Sequence, residues 1–424
     1  MQARVVESTK QKLGGRVVYA LQYSKDDPLT YLGDTGAESQ REVLVVVKTP
    51  RFWSRLLAGA DLGFAESYML QDIDCEEDQL LKLFQVRASL YRVVLTDKNI
   101  NQELNKISCS PSTAEASAQI NISAHYDTSN VLFANILSPD MNYSCAHWSA
   151  EPTETLETAQ RRKVQTLLRK ARISAGHHIL DIGCGWGDLS IQAALTHPEC
   201  RVTGITLSRE QKSWAEARIQ AVGLQDRVEI LFCDYRQVSP PEDGGYYDRI
   251  ISVGMFEHVG REYLPEYFTT ISRLLDPKHG ILVLDGITAI NRIHGLQARS
   301  DLFMLKYIFP GGYLPTIGML LDHIHEGSGK SLEVTSAESS GSHYGKSLQV
   351  WRENFTRNWE AIREDYEKEN PSCTAFEVET FRRKWLYYFV VAETSFRLQL
   401  LNNFTITAAR TPGSALSYES LPYV

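Results

Sequence analysis

The chain has 424 residues, of which 43% are hydrophobic and 23% are charged, a composition typical of globular proteins with one large or several smaller domains. Its formal net charge of −8 disfavours a nucleic-acid binder, because such proteins usually carry a basic face. Seven scattered cysteines, no C-x-x-C pair, no signal-peptide pattern and no run of ~20 apolar residues predict a cytoplasmic protein without disulfides or membrane spans.

The N-terminal part of the chain predicts a small α+β domain followed by a linker. Short β-branched runs at 16–19 and 42–47 predict a small sheet, and apolar residues at helical spacing predict helices over 51–63 and 76–90. Residues 99–121 are rich in Asn, Ser and Ala and contain a proline, which is typical of a linker. We therefore predict four parts: a small domain over 1–98, a linker over 99–122, a larger domain over 123–410 and a tail over 411–424.

From residue 156 onward, strands and helices alternate. A helix is predicted over 156–170, and apolar runs predict strands at 178–182, 201–206, 228–232, 247–253 and 281–285. This alternation is typical of a parallel sheet that is covered by helices on both faces. Ligands of such sheets bind beyond the carboxyl ends of the strands, so the residues at those ends are the first candidates for a site.

The first of these strands runs into a glycine-rich turn, I-L-D-I-G-C-G-W-G-D-L at 179–189. Asp181 precedes Gly183, Gly185 and Gly187, and their G-x-G-x-G spacing differs from the G-x-G-x-x-G of dinucleotide-binding folds. No G-K-[ST] follows, which disfavours a phosphate-binding loop. The pattern predicts a nucleoside ligand without a pyrophosphate, with S-adenosylmethionine as the leading candidate. The alternative is a purely structural turn.

Polar side chains follow the second and third strands. Thr206 and Gln211 can hydrogen-bond the hydroxyls of a ribose, although neither carries a charge. The S-x-x-Q spacing of Ser208 and Gln211 also fits a helix capping box, and the two interpretations are compatible. After the third strand, Asp234 is a candidate partner for an adenine amino group and Tyr235 for stacking. The alternative for Asp234 is a surface carboxylate.

The fourth strand ends in V-G-M-F-E-H-V-G at 253–260. We interpret Glu257 as a base or as the group that holds one. His258 is interpreted as a supporting residue more readily than as the reacting group. The metal-binding patterns H-E-x-x-H and H-x-E…C-x-x-C are missing, which disfavours a metal site.

Beyond the fifth strand, the sequence predicts helices that cover the sheet and then its last strand. A helix is predicted over 298–309. Residues 326–342 contain a short strand within Ser- and Gly-rich loops and are predicted to be a surface insertion. Long helices follow over 347–366 and 375–402, and a last strand is predicted over 404–407.

Five segments in this order carry a resemblance to a known family: Y-S-C-A-H-W, L-D-I-G-C-G-W-G, G-I-T-L-S-R-E-Q, V-G-M-F-E-H-V-G and K-Y-I-F-P-G-G-Y-L-P. They resemble the cyclopropane-fatty-acyl-phospholipid synthase family, which includes the related mycolic acid methyl-transfer enzymes. The resemblance extends from about Val45 to about Ala408, and A-D-L-G-F-A-E-S-Y-M at 60–69 is similar to the small N-terminal domain of full-length synthases. It implies an α/β fold of the Rossmann-like, class I S-adenosylmethionine-dependent methyltransferases, with a mostly parallel seven-stranded sheet and helical lid insertions.

The resemblance also implies a reaction. The π electrons of a cis double bond in an acyl chain attack the methyl carbon of S-adenosylmethionine, and a base then removes a proton from the added carbon so that a cyclopropane ring closes. The family uses a bound bicarbonate as that base or as its relay. The implied substrate is an unsaturated phospholipid, which requires peripheral contact with a membrane, and bacterial members of the family are homodimers.

The resemblance carries over site residues by position. Cys145 matches the cysteine of the bicarbonate site, Glu257 matches the glutamate that orients the bicarbonate, and Tyr344 in S-H-Y-G-K-S-L matches a tyrosine that donates to the anion. Tyr143 and Ser144 match contacts to S-adenosylmethionine. The alternatives are a buried thiol for Cys145 and a core aromatic residue for Tyr344.

One position departs from the family pattern. Where bacterial members have L-H-T-I-G, with a histidine that helps to hold the bicarbonate, this chain has L-D-G-I-T at 284–288. Asp285 takes the place of the histidine, and the backbone of Ile287 stays available to the site. A carboxylate beside a bicarbonate must be protonated or turned away.

The departure leaves the product and the substrate open. Asp285 could instead be a direct base that makes bicarbonate less necessary. It could also redirect the cation to a methyl-branched or methylene product. Two other functions also stay open: a C-methyltransferase acting on a small-molecule alkene in secondary metabolism, and an inactive protein that binds a lipid or the cofactor.

Overall fold

The structure is a computed structural model that describes residues 17–21, 30–32, 43–84, 129–241, 245–294 and 302–410. Its strands in chain order are β1 (Val17–Leu21), β2 (Thr30–Leu32), β3 (Val43–Val47), β4 (Ile73–Asp74), β5 (His178–Ile182), β6 (Arg201–Thr206), β7 (Val228–Phe232), β8 (Arg249–Val253), β9 (Ile281–Ala289), β10 (Leu332–Ser339) and β11 (Leu401–Arg410). Its α-helices are α1 (Arg51–Met69), α2 (77–84), α3 (Asn130–Ile136), α4 (Leu156–Ala171), α5 (Asp188–Thr196), α6 (Arg209–Ala221), α7 (Leu264–Leu274), α8 (Asn291–His294), α9 (Ile317–Gly327), α10 (Gly341–Arg357), α11 (Trp359–Glu369) and α12 (Ala375–Arg397). The predicted linker over 99–122 and tail over 411–424 lie outside the described residues.

The chain divides into two compact units. The first unit comprises Met1–Pro111, Ile290–Pro310 and Tyr344–Leu401. The second unit comprises Ser112–Ala289, Gly311–His343 and Asn402–Val424. The first unit therefore combines N-terminal segments with two segments from the C-terminal half of the chain.

The first unit contains a four-stranded sheet with the order β2-β1-β3-β4, in which β1 runs parallel to β3 and antiparallel to β2. The small sheet predicted from the β-branched runs is thereby confirmed. Helix α1 is longer than predicted, because it continues through a kink at Ala60, where φ is 44°, to Met69. It buries Phe52, Phe64 and Tyr68, and the Tyr68 ring lies 5.9 Å from the ring of Tyr387 in α12.

The second unit is built on a seven-stranded sheet with the order β10-β11-β9-β8-β5-β6-β7. The pairs β5–β6, β5–β8, β6–β7 and β8–β9 are parallel, and the pair β10–β11 is antiparallel. Side chains alternate between the two faces, so Ile179 joins one buried cluster while Leu180 and Ile182 join another. The predicted α/β fold with a mostly parallel seven-stranded sheet is therefore confirmed, and β5, β6 and β7 have their predicted bounds.

The short strand predicted within 326–342 is confirmed, but the interpretation of this segment as a surface insertion is wrong. Residues Leu332–Ser339 form β10, the edge strand of the seven-stranded sheet, and pair antiparallel with β11. Side chains along most of β10 alternate between exposed and partly buried, which is the pattern of an edge strand with one solvated face. The serine-rich composition hid the pairing of this strand with the sheet.

The elements near the C-terminal end of the chain also differ from their predictions. Within the predicted helix over 298–309, Met304–Ile308 form a π-helix, and residues 295–301 lie outside the description. The predicted helix over 347–366 is two helices, α10 and α11, which are separated at Asn358. No helix in the described ranges is long and apolar enough to cross a bilayer.

Candidate active site

The glycine-rich turn after β5 contains backbone conformations and close contacts that favour glycine. Gly183, Gly185 and Gly187 have positive φ angles of 80°, 54° and 83°. A Cβ on Gly187 would lie 2.8 Å from the Cβ of Ala215 in α6, so packing requires this glycine. A Cβ on Gly185 would meet nothing within 4 Å, and Gly185 lines a pocket. The turn therefore leaves open space at its centre, where a ligand can approach the backbone.

This pocket lies at the carboxyl ends of β5, β6 and β8, within the second unit. Eight of the ten predicted cofactor-binding residues line it: Tyr143, Ser144, Asp181, Gly183, Gly185, Thr206, Gln211 and Tyr235. Several lining residues were not singled out in the sequence, among them Asn142, Lys163, Trp186 and Asp188. The mixture of polar groups, aromatic rings and accessible backbone fits a nucleoside ligand.

Thr206 and Gln211 contact each other at the end of β6. The Thr206 hydroxyl donates a hydrogen bond of 2.7 Å to Oε1 of Gln211. The Ser208 hydroxyl accepts a bond of 3.2 Å from the backbone amide of Gln211 and so caps α6 as predicted. The two roles expected of Gln211 therefore use different atoms, because its backbone completes the cap while its side chain lines the pocket.

Asp234 and Tyr235 follow β7, and Tyr235 is the one of the two that lines the pocket. Asp234 is 3% exposed, so the alternative of a surface carboxylate is wrong. Both of its oxygens accept hydrogen bonds of 2.8 Å from the Arg236 guanidinium. A contact with adenine would therefore have to share a carboxylate that is already paired. The Tyr235 ring is buried and packs edge-on against Tyr267 at 4.9 Å.

A buried lysine that the sequence analysis missed holds the loop of Tyr143 and Ser144. Nζ of Lys163 donates to Oδ1 of Asn142 at 2.8 Å and to the hydroxyl of Ser144 at 3.0 Å. Nε2 of Gln160, on the same helix, donates to the carbonyl oxygens of Asn142 and Ser144. Burial lowers the pKa of Lys163. The available signal was a pair of polar residues, three apart, on the face of α4 that also carries its apolar residues.

Asp285 lies in β9, directly opposite the pocket residue Val253 of β8. It is 1% exposed. Nδ2 of Asn403 donates to its Oδ1 at 3.0 Å, and the hydroxyl of Thr405 donates to its Oδ2 at 2.5 Å. Both donors come from β11, so the last strand of the sheet solvates a carboxyl group that water does not reach.

Glu257 lies in a 3-10 turn, Phe256–His258, directly after β8. Its Oε1 accepts a hydrogen bond of 2.7 Å from the backbone amide of Ile287, and its Oε2 is buried without a partner in the described part of the chain. Burial, reinforced by the charge of Asp285, raises the pKa of Glu257 to about 8. Gly286, which the sequence analysis did not mark, makes room for the carboxyl group, since a Cβ there would lie 2.8 Å from Oε1.

Cys145 is fully buried, and its thiol contacts the carbonyl oxygen of Ser340 at 3.5 Å. Burial, followed by the charge of Asp285, raises the pKa of Cys145 well above its usual value, so the group is a neutral thiol. The Ser340 hydroxyl also accepts a bond of 2.9 Å from Nδ2 of Asn403, which connects Cys145 to Asp285 through the chain.

Hydrogen bonds and the field of Asp285 thus bring together four of the five predicted catalytic residues. We call Cys145, Glu257, Asp285 and Ile287 the carboxyl cluster. His258, the predicted supporting residue, lines the pocket, and burial lowers its pKa to about 4, so its imidazole is neutral near pH 7.

The fifth predicted catalytic residue, Tyr344, belongs to the first unit. Its ring is 8% exposed and packs against the rings of Phe396 and Trp351, with centroid distances of 4.4 and 6.0 Å. These contacts are those of a core aromatic side chain.

S-adenosylmethionine fits the pocket, whereas bicarbonate does not fit the carboxyl cluster. Each donor that the described contacts place at the cluster is already used: the Ile287 amide by Glu257, Asn403 and Thr405 by Asp285, and the Cys145 thiol by a carbonyl oxygen. What is left for a ligand is the remaining acceptor capacity of Asp285 and the second oxygen of Glu257, which carries a proton near pH 7 because burial raises the pKa of this group to about 8. That arrangement attracts a positive centre and repels an anion.

The chain is similar to known proteins over most of its length. A family model described as mycolic acid cyclopropane synthetase matches residues 113–406. The chain is 34% identical over 391 residues to the tuberculostearic acid methyltransferase UfaA1 of Mycobacterium tuberculosis, with 89% of this chain and 85% of that protein covered. It is 31% identical over 364 residues to the cyclopropane-fatty-acyl-phospholipid synthase of Escherichia coli, with 86% and 87% covered. A solved structure of the mycolic acid cyclopropane synthase CmaA1 complexed with SAH and CTAB matches with a TM-score of 0.58 and 28% identity, over 69% of this chain and 98% of that one.

Proposed function

The chain belongs to the mycolic acid cyclopropane synthetase family, and we propose that it converts a cis double bond in the acyl chain of an unsaturated phospholipid into a cyclopropane ring. It is an S-adenosylmethionine-dependent methyltransferase of the cyclopropane synthase type. The observation that carries the proposal is the carboxyl cluster beside a nucleoside-type pocket, because ring closure needs a base in a place that excludes water.

S-adenosylmethionine supplies an electrophilic methyl group when bound. The residues proposed to hold it are Tyr143, Ser144, Asp181, Gly183, Gly185, Gly187, Thr206, Gln211, Asp234 and Tyr235. Eight of them line one pocket, and the other two contribute by shape and charge: Gly187 allows the turn to pack on α6, and Asp234 is an ion-paired acid beside Tyr235.

We propose that the carboxyl cluster stabilises the positive charge that arises on the substrate. Attack by the double bond leaves a cation on the acyl chain, and a carboxylate in a water-poor site stabilises such a centre strongly. Water would quench the cation, and Asp285, Cys145 and Glu257 are 1%, 0% and 7% exposed. A carboxylate of the chain then takes the proton. Tyr344 stays a predicted member of the catalytic group on the strength of its motif alone.

The proposal extends to the carrier of the acyl chain. The Escherichia coli relative is named for acyl-phospholipid substrates, and this chain covers 87% of its length. Acyl chains of phospholipids lie inside a bilayer, so the enzyme must contact a membrane surface from the cytoplasm. We assign this contact to the predicted N-terminal domain over 1–98 and expect a homodimer, as the family resemblance implies. Flotation with vesicles and light scattering of the purified protein test these two points.

A second candidate function is the formation of a methyl-branched or methylene product. It is favoured by Asp285 in place of the family histidine and by 34% identity to a protein named a tuberculostearic acid methyltransferase. If the proton is lost from a chain carbon, the cation becomes a methyl-branched alkene. If a hydride first moves from the methylated carbon to the cationic carbon, loss of a proton from the added carbon gives a methylene group. No ring forms in either case.

One experiment separates these outcomes. The chain is expressed in a bacterial host that is rich in monounsaturated phospholipids and lacks its own synthase, and the lipids are analysed by mass spectrometry and proton NMR. A gain of one CH2 that resists mild hydrogenation and shows cyclopropane protons supports the first function. The same gain in a lipid that takes up hydrogen supports the second. If the lipids gain no CH2 although the protein is folded and binds S-adenosylhomocysteine, the proposal of a phospholipid substrate is contradicted. A small-molecule alkene is then the favoured substrate.

A further inference from the structure

The carboxyl cluster contains a negatively charged group of the protein itself, the side chain of Asp285. Asp285 is 1% exposed and accepts hydrogen bonds from Asn403 at 3.0 Å and from Thr405 at 2.5 Å. Nδ2 of Asn403 also donates to the Ser340 hydroxyl at 2.9 Å, which fixes the amide in place. Each oxygen of an ionised carboxyl group offers two acceptor positions, and these bonds fill one on each. Asp285 can therefore still accept a proton.

A buried lysine, Lys163, lies in the electrostatic field of this charge. The field of Asp285 acts on Lys163 as well as on Cys145, His147 and Glu257. Burial keeps Cys145 neutral and lowers the pKa of His147. Lys163 is 1% exposed and is the cation that these contacts identify within the described ranges. Asp140 and Asp188 act on Lys163 as well, so its positive charge is shared among several carboxyl groups and is not available to balance a further anion.

The carboxyl groups around this lysine disfavour the binding of a further anion. A bicarbonate beside Asp285 would bring two negative charges together in a site that water does not reach. The imidazole that bacterial relatives have at this position can donate a hydrogen bond to an anion, whereas an ionised carboxyl group can only accept. The residue present here therefore removes a donor and introduces an acceptor at the same place.

We propose that Asp285 is the base of ring closure and that this chain closes the ring without bicarbonate. The inference rests on the proposed function. In the step, one C–H bond of the added carbon breaks, its electron pair forms the last bond of the ring, and the proton moves to an oxygen of Asp285. The proton leaves to water when the product departs, which regenerates the carboxylate.

Glu257 is less suited to this role. Burial raises the pKa of Glu257 to about 8, so near pH 7 the group holds a proton of its own. Its Oε1 is fixed by the Ile287 amide at 2.7 Å. We therefore assign Glu257 as a neutral positioning residue and Asp285 as the charged group.

The test uses the full chain with S-adenosylmethionine and vesicles of monounsaturated phosphatidylethanolamine and phosphatidylglycerol. Initial rates of ring formation are measured for the wild type, Asp285→Asn and Asp285→His, in buffer freed of carbon dioxide and in the same buffer with added bicarbonate. Binding of ¹³C-labelled bicarbonate to each protein, saturated with S-adenosylhomocysteine, is followed by the width of its NMR signal. Asp248→Asn is a matched control, because Asp248 accepts a bond of 2.8 Å from the His178 amide at the opposite, amino end of β5.

We expect the wild-type rate to be the same in both buffers and the bicarbonate signal to stay narrow. Asp285→Asn should lower the rate by about 10²-fold or more, the usual contribution of a general base, while its circular dichroism and its affinity for S-adenosylhomocysteine stay at wild-type values. Asp285→His should gain a rate that depends on bicarbonate and should broaden the signal. Asp248→Asn should behave as the wild type in every measurement.

A wild-type rate that falls without carbon dioxide and returns with bicarbonate would overturn the inference. Folded Asp285→Asn that closes rings at the wild-type rate would do the same. The NMR measurement does not depend on turnover. Absence of any methylated lipid would therefore contradict the proposed function, and broadening of the bicarbonate signal by the wild type would contradict this inference.

Discussion

The backbone amide of Ile287 donates a hydrogen bond of 2.7 Å to Oε1 of Glu257. The bond joins the turn after β8 to the neighbouring strand β9. Because Oε2 of the same carboxyl group is buried and has no partner in the described part of the chain, Glu257 is fixed at one oxygen and unsolvated at the other. This asymmetry stabilises the neutral acid and has a measurable consequence for the folded protein.

Glu257→Gln is expected to remove part of the pH dependence of stability. Burial raises the pKa of Glu257 from 4.5 to about 8, so between these values the folded state keeps a proton that the unfolded chain releases. The free energy of unfolding of the wild type should therefore fall as the pH rises through this window, by up to about 1.4 kcal/mol per pH unit, and level off above it. Urea denaturation of both proteins from pH 5 to pH 9 measures the difference, and parallel curves would contradict the assignment.

Thr405→Val is expected to destabilise the protein by about 1–3 kcal/mol, because it removes a donor from a buried charged group. The Thr405 hydroxyl bonds Oδ2 of Asp285 at 2.5 Å. Thr335→Val is the matched control, since the Thr335 hydroxyl donates to the uncharged carbonyl oxygen of Thr407 at 3.2 Å. Urea denaturation should show the larger loss for Thr405→Val, and equal losses would contradict a special contribution of the bond to Asp285.

Lys163→Met is expected to weaken the binding of S-adenosylhomocysteine roughly tenfold or more. Nζ of Lys163 supplies charged hydrogen bonds to Asn142 and Ser144, each worth about 1.5–3 kcal/mol, and the loop between them lines the pocket. Lys170→Met on the same helix is the control, because Lys170 pairs with the exposed Glu338. Isothermal titration calorimetry should separate the two variants, and unchanged affinity for Lys163→Met would show that the loop is held by other contacts.

Gly187→Ala is expected to lower the free energy of unfolding by about 2–4 kcal/mol, from overpacking and from a backbone conformation that alanine disfavours. The new Cβ would lie 2.8 Å from the Cβ of Ala215, and φ is 83°. Gly176→Ala isolates the backbone contribution, since φ is 79° there and a Cβ would meet nothing within 4 Å. Thermal denaturation should therefore show a clearly smaller loss for Gly176→Ala.

The sheet could be predicted from the sequence because its strands are local features. Strands β5, β6 and β7 are short apolar runs bounded by polar or glycine residues, and their predicted bounds are confirmed. A strand was also predicted within the segment that forms β10. Its place in the sheet was misjudged, because an edge strand needs few apolar residues and this one is rich in serine. The small sheet was predicted correctly for the same reason, because the β-branched runs that form β1 and β3 are also local features.

The surroundings of the site could not be predicted in the same way, because they depend on contacts between distant segments. Lys163 was overlooked, since a charged residue on a helix is ordinarily in solvent and its burial depends on the loop of Asn142. Asp285 was recognised as unusual, yet its donors Asn403 and Thr405 become visible only once β11 is placed in the sheet. The sequence therefore identifies the candidate residues, whereas their burial and hydrogen-bond partners become known only from the fold.

The hydrogen bonds between β9 and β11 join residues that are synthesised at different times. Asp285 precedes its donors Asn403 and Thr405 by 118 and 120 residues in the chain. A ribosome adds about 5–20 residues per second, so the carboxyl group is made roughly 6–24 s before the side chains that solvate it. A nascent chain that buried β8 and β9 within this interval would enclose an ionised group without donors. The hydrogen bonds to Asp285 can therefore be completed only after β11 has been made, although β8 and β9 are made earlier.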